Sequence, residues 1–173
     1  LLYVGGRNTH KNFTAVLDIL KTATASYFDM ELIVVGGGAF SDYEMKLIKE
    51  LDLTKKIRHL GQVGNAKLNE LYNLAYAFIY PSFYEGFGIP PLEAMASGCP
   101  VICSNVSSIP EVVGEGGLLF NPLEPKSVEE YLIKLQDKEY RQVVISKGID
   151  RAKMFSWEKT GQETLKLYKG ILK

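Results

Sequence analysis

The 173-residue sequence predicts an α/β fold, a doubly wound parallel sheet of about six strands. Three observations predict it. Short apolar runs such as Ala77-Phe78-Ile79-Tyr80 lack polar alternation, as strands covered on both faces do. Amphipathic helical patterns lie between these runs. Glycine-containing turns follow several of them, at the place where a strand hands over to a helix.

The expected strands are residues 2–5, 31–35, 57–60, 77–80, 101–104 and 117–120. Phe13, Val16, Leu17 and Leu20 recur at helical spacing after the first, and Met45, Ile48 and Leu51 after the second. A third helix is expected over 66–74. Right-handed crossovers make the strand order 3-2-1-4-5-6. The tail 126–173 reads as helical. Ser127 with Glu130 has the pattern of a capping box, and Ser156 that of the cap of the last helix, where Trp157, Gly161, Thr164, Leu165, Tyr168 and Leu172 share a face. Asn121-Pro122-Leu123-Glu124-Pro125 reads as a loop, so residues 1–173 form one domain with a helical tail.

Composition narrows the function. An apolar fraction of 46% and a charged fraction of 23% are those of a soluble globular protein. Twenty basic residues balance 20 acidic ones, which provides no global field for nucleic acid. Cys99 and Cys103 are too few for a disulfide scaffold and lack histidines at zinc spacing; two buried thiols in a reducing compartment are expected. No apolar run approaches the ~20 residues that span a bilayer, and no signal peptide pattern occurs. A cytoplasmic location is expected, with no metal and no cofactor. The chain opens without methionine inside the strand-like Leu1-Leu2-Tyr3-Val4, which suggests a fragment whose upstream domain has been cut away.

Two turns carry the candidate chemistry. The first strand runs into Gly5-Gly6-Arg7-Asn8-Thr9-His10-Lys11 ahead of a helix. A diphosphate there would meet helix N–H groups and two cations, Arg7 and Lys11, although the same charges also suit a solvated loop. Asn8 and His10 read as loop residues. The fourth strand runs into Glu85-Gly86-Phe87-Gly88-Ile89-Pro90-Pro91-Leu92-Glu93. Two carboxylates around a glycine loop suit the hydroxyls of a sugar or a ribose, and also invite a glycosidase reading. Glu93 is expected in the first turn of a helix that Pro90 and Pro91 help start, where the macrodipole alone would favour it. Gly36-Gly37-Gly38 imitates a dinucleotide fingerprint, but it follows the second strand and has Ser41 in the third glycine position.

The run from Glu85 through Glu93 to Ala94-Met95-Ala96-Ser97-Gly98-Cys99-Pro100-Val101 closely resembles the E-x7-E region of the large retaining glycosyltransferase family 4. Tyr3-Val4-Gly5-Gly6-Arg7, Ile57-Arg58-His59-Leu60-Gly61, Ser107-Ser108-Ile109-Pro110-Glu111 and Phe155-Ser156-Trp157 follow in the family's order, so the likeness covers essentially the whole chain. His59 stands where the family often has an aromatic residue. The resemblance implies the C-terminal, nucleotide-sugar-binding half of a GT-B enzyme, with the acceptor-binding N-terminal half absent. It implies a metal-independent transfer of a sugar from a nucleoside-diphosphate sugar to an acceptor glycan, lipid-linked sugar or small molecule, with peripheral membrane association of the whole protein left open. By the same resemblance Arg7 and Lys11 bind the departing diphosphate, and Glu85 holds the transferred sugar. Gly6, Phe87, Gly88, Ile89 and Leu92 line the donor site, Glu93 accepts from the ribose, and backbone at Leu60 meets the base. A GT-B epimerase or phosphorylase is the competing reading; no pyridoxal-binding lysine motif supports the latter.

Overall fold

The structure is a computed structural model and describes residues 1–25 and 29–171. Its strands are β1 (Leu2–Val4), β2 (Leu32–Val35), β3 (Ile57–Gly61), β4 (Phe78–Tyr80), β5 (Val101–Ser104) and β6 (Gly117–Phe120). Helices follow as α1 (Phe13–Ala25), α2 (Asp42–Glu50), α3 (Asn65–Leu74), α4 (Ile89–Ala96), α5 (Ile109–Val113), α6 (Val128–Lys134), α7 (Lys138–Ala152) and α8 (Trp157–Ile171). All strand pairs are parallel, in the order β3-β2-β1-β4-β5-β6, as the sequence predicts.

The unbroken apolar strands serve two cores. Tyr3, Ile79 and Ile102 point to one face, where Val16, Leu17 and Leu20 of α1 and Leu132 of α6 cover them. Leu2, Phe78, Tyr80, Val101 and Cys103 point to the other, against Ala94 and Met95 of α4 and Val113 of α5. Each such side chain contributes about 1.5–3 kcal/mol on full burial. The strand β3 lies at the sheet edge and alternates instead, with Ile57 and His59 half-buried and Arg58 and Leu60 exposed. Cys99 and Cys103 are buried free thiols; burial pushes the Cys99 thiol up to about 12 and Cys103 higher still, so both are inert at neutral pH.

One of the two expected caps differs. Ser127 caps nothing: a 3₁₀ turn at Pro125–Ser127 precedes α6, and the Ser127 hydroxyl donates back to the Glu124 carbonyl at 2.7 Å. The capping box belongs to Ser41 and Glu44 at the start of α2. Ser156 does cap α8, accepting from the Lys159 amide at 3.1 Å. The described part of α8 buries none of its residues, and Leu172 lies outside the described residues.

Candidate active site

The order of the sheet places β1 beside β4, and the winding reverses there: β2 and β3 extend to one side, β5 and β6 to the other. The crevice at the carboxyl ends of such a strand pair is where open α/β sheets bind ligands. Both candidate turns open into it, one from each strand.

Local structure brings the two turns together. Residues Thr9–Lys11 form a 3₁₀ turn that ends on Asn12 in the left-handed region, at φ 51°. The buried Asn12 amide donates to the carbonyls of Pro81 and Pro122 at 3.2 and 3.3 Å. The Phe83 amide donates to the His10 carbonyl at 2.8 Å. So tethered, Lys11 Nζ donates to both oxygens of Glu85, at 2.7 and 2.8 Å. Their side chains are only 22% and 11% exposed, so water screens the pair weakly. Burial pushes the Glu85 carboxyl up, but hydrogen bonds from Lys11, Ser82 and Tyr80 and the lysine charge outweigh it, and the net shift is downward. Glu85 is therefore an ionised acceptor at neutral pH. The Ser82 residue is buried beside it, 1% exposed.

The main chain of Glu85 is also fixed, by residues that sequence reasoning left without a role. Ser107 Oγ accepts from the Glu85 amide at 3.2 Å and donates to the Glu85 carbonyl at 2.9 Å. Ser108 Oγ reaches that carbonyl at 2.9 Å and the Phe87 carbonyl at 3.0 Å. Ser107 takes φ 58° to do so, an uncommon conformation for a residue with a side chain. The serine pair ahead of Ile109-Pro110-Glu111 was the available signal.

Arg7 points elsewhere. Its Nε donates to Glu44 at 2.8 Å, with side chains 6% and 12% exposed. Its Nη2 donates to the carbonyls of Gly38 and Ala39 at 2.7 and 2.9 Å, and Nη1 approaches the Gly36 carbonyl at 3.3 Å. The guanidinium lies 4.7 Å from the centre of the Phe40 ring. The triple glycine that imitates a dinucleotide motif thus wraps an arginine. Gly37 has φ +66°, and a Cβ there would stand 2.7 Å from Arg7 Nη1. Gly37→Ala is expected to lower stability by about 1–2 kcal/mol, the cost of forcing a side chain into this backbone region. Gly38→Ala meets nothing within 4 Å and should change little; thermal denaturation of the two variants checks the difference.

Glu93 requires a correction. The helix α4 starts at Ile89, after Gly88 at φ 119°, so Glu93 falls in its second turn and no acid occupies the first. The macrodipole does not account for it. Tyr72 of α3 donates to its carboxylate at 3.2 Å, and burial together with the Glu93 charge pushes the Tyr72 hydroxyl up, which keeps it a donor.

Two cavities divide the remaining candidates. Gly6 and Arg7 line one of about 570 Å³, with Asn12 and Phe83. Phe87, Ile89, Leu92 and Glu93 line another of about 500 Å³, with Phe155 and Trp157. Lys11 and Glu85 line neither cavity, although Phe83 and Phe87, on either side of Glu85 in the chain, each line one. Leu60 lines neither cavity; it sits exposed on the edge strand, next to His59, whose Nε2 lies 3.0 Å from the Gly36 carbonyl. Among the described residues, no group of three or more His, Cys, Asp or Glu could hold a metal ion, and no helix is long and apolar enough to cross a membrane.

Known proteins share this fold. Residues 1–151 match the family of glycosyl transferases group 1. The chain is 37% identical over 171 residues to O-antigen chain mannosyltransferase B of Escherichia coli, a match that covers 97% of this chain and 45% of that protein. Among solved structures, sucrose-phosphate synthase from Thermosynechococcus elongatus superposes with a TM-score of 0.84 at 29% identity, over 99% of this chain and 45% of that one. Anabaena Alr3699/HepE in complex with UDP-glucose superposes with a TM-score of 0.85 at 20% identity, over 98% and 48%. The chain thus spans about half the length of these proteins. With the family matched over most of its residues, this chain belongs to the glycosyl transferases group 1.

Proposed function

We propose that the chain is the donor-binding domain of a longer retaining glycosyltransferase, which moves a hexose from a nucleoside-diphosphate sugar to an acceptor hydroxyl. One observation carries this reading: a half-buried lysine–carboxylate pair at the carboxyl ends of β1 and β4, the switch point of the sheet. Glu85, ionised and held by Lys11, Tyr80 and Ser82, accepts from hydroxyls of the transferred sugar. Lys11 turns to the diphosphate as that group gathers charge, and Arg7 adds the Nη1 proton that its carbonyl contacts leave over. Positive charge aimed at a leaving group stabilises the transition state more than the ground state. These two cations take the place a metal would have. The amides of Phe87, Gly88 and Ile89 face sugar and phosphate, and Glu93 accepts from the ribose.

A mannosyl or glucosyl donor fits a chain whose relatives include an O-antigen chain mannosyltransferase and whose structural neighbours include a complex with UDP-glucose. The acceptor glycan or lipid-linked sugar is held chiefly by the other half of the enzyme, and the product is polysaccharide. The reading carries a cytoplasmic location, at the membrane face for a lipid-linked acceptor. Calorimetric titration of the chain in EDTA with UDP, GDP, ADP and their hexose conjugates tests it. One nucleotide series should bind, and no sugar should be transferred by this chain alone. Failure of every nucleotide to bind would refute the proposal.

A further inference from the structure

Tyr72 has no place of its own in donor binding, yet its hydroxyl ends on the carboxylate given to the ribose. The residue is 2% exposed and lines neither cavity. Its ring stands edge-on to Phe78 of β4, with centroids 5.6 Å apart at 82°, and Phe78 is fully buried. The close-packed core therefore sets where the Tyr72 hydroxyl lies. Glu93, by contrast, is exposed on α4, where a glutamate has several staggered rotamers open to it. Tyr72 donates to Glu93 Oε2 at 3.2 Å, and Oε1 has no hydrogen-bond partner among the described residues. The main chain there is tied to α3 as well: Ser97 Oγ lies 2.8 Å from the Glu93 carbonyl and 3.0 Å from Asn69 Oδ1.

An ionised carboxylate has about four acceptor sites on its two oxygens. Tyr72 occupies one of them. Oε1 and the open side of Oε2 stay available to two neighbouring hydroxyls, such as a cis-diol offers. A carboxylate fixed beforehand loses less rotamer freedom when the diol binds. We propose that Tyr72 is a positioning residue, which holds Glu93 for the two hydroxyls of a ribose and so makes the chain select ribonucleotides over deoxyribonucleotides. This rests on the donor reading above, in which Glu93 accepts from the ribose. A site built to bond a hydroxyl rejects the analogue that lacks it, because its own polar groups are then left unpaired. Tyr72 touches no ligand itself; it acts through Glu93.

The test is calorimetric titration with UDP, GDP and ADP and with their 2′-deoxy forms, in wild type, Tyr72→Phe, Glu93→Ala and the double variant. In wild type the nucleotide that binds should bind roughly tenfold or more weakly as its deoxy form, as loss of a hydrogen bond to a charged group does. Tyr72→Phe keeps the ring and its packing on Phe78. It should weaken the ribose form roughly 3- to 10-fold, the scale of one hydrogen bond, and the deoxy form by about twofold or less. The ratio between the two forms then narrows, which a loss of packing would not cause. In the Glu93→Ala background the same substitution should change neither affinity. An unchanged ratio in Tyr72→Phe, or an equal loss for both forms, would overturn the proposal and leave Glu93 on the ribose. Equal binding of both forms by wild type would take the ribose from Glu93, and the proposal with it. Failure of every nucleotide to bind would refute the donor reading itself, and this role of Tyr72 with it.

Discussion

Glu85→Ala in the full-length transferase is expected to cut turnover by roughly 10²-fold or more, the scale for loss of one preorganised transition-state contact. The carboxylate is an acceptor with a fixed position. Lys11 holds both of its oxygens, Tyr80 and Ser82 lie beside it, and the two serines after β5 clamp its main chain. A group so heavily positioned serves geometry more than simple affinity, so the loss should appear in kcat with the donor KM little changed. Glu85→Gln separates charge from shape: it keeps one oxygen acceptor and roughly the same volume. If the negative charge matters as sugar and diphosphate part, the glutamine enzyme should stay close to the alanine enzyme. Steady-state kinetics with the cognate nucleotide sugar measures this, and transfer near the wild-type rate in Glu85→Ala would remove Glu85 from the mechanism.

Much of this arrangement was legible in the sequence. Continuous apolar runs gave the two-sided sheet because Tyr3 and Ile79 face one core while Leu2, Phe78 and Tyr80 face the other. The positions of the two glycine turns at the ends of β1 and β4 followed from strand order alone. The partners of the charges did not, because they depend on contacts distant in sequence. Arg7 is bound by residues 36–44, and nothing near Arg7 announces a triple glycine shaped to receive it. Tyr72 reaches Glu93 from a different helix. Local patterns also mislead where they repeat. Ser41-x-x-Glu44 and Ser127-x-x-Glu130 look alike, but only the first is a capping box, since Pro125 starts a 3₁₀ turn that draws Ser127 into helical backbone. Glu93 misses the first turn of α4 because Gly88, by its left-handed backbone, lets the helix begin at Ile89, before the prolines.

Lys11→Ala is expected to weaken nucleoside-diphosphate binding by about 1.5–3 kcal/mol, the range for a hydrogen bond to a charged group. It should also destabilise the chain by about 1–2 kcal/mol, because Glu85 keeps its burial and loses its cation. The pH dependence gives these effects a signature. Lys11 is a main cause of the downward shift at Glu85. A carboxyl lowered on folding adds stability above its unfolded value, and that stability is lost as pH falls through the lowered folded value. In the variant, burial is opposed only by Ser82 and Tyr80, and the carboxyl rises. The stability gap between wild type and Lys11→Ala should therefore be widest at neutral pH and close below the ordinary carboxylate range, where Glu85 is protonated in both. Urea denaturation across this range measures the gap, and calorimetry at neutral pH measures the affinity. A gap independent of pH would mean that Lys11 acts through packing against the Tyr80 ring, 5.7 Å from its ammonium. An unchanged affinity would mean that the lysine's role is to hold Glu85 and that the diphosphate finds its charge elsewhere.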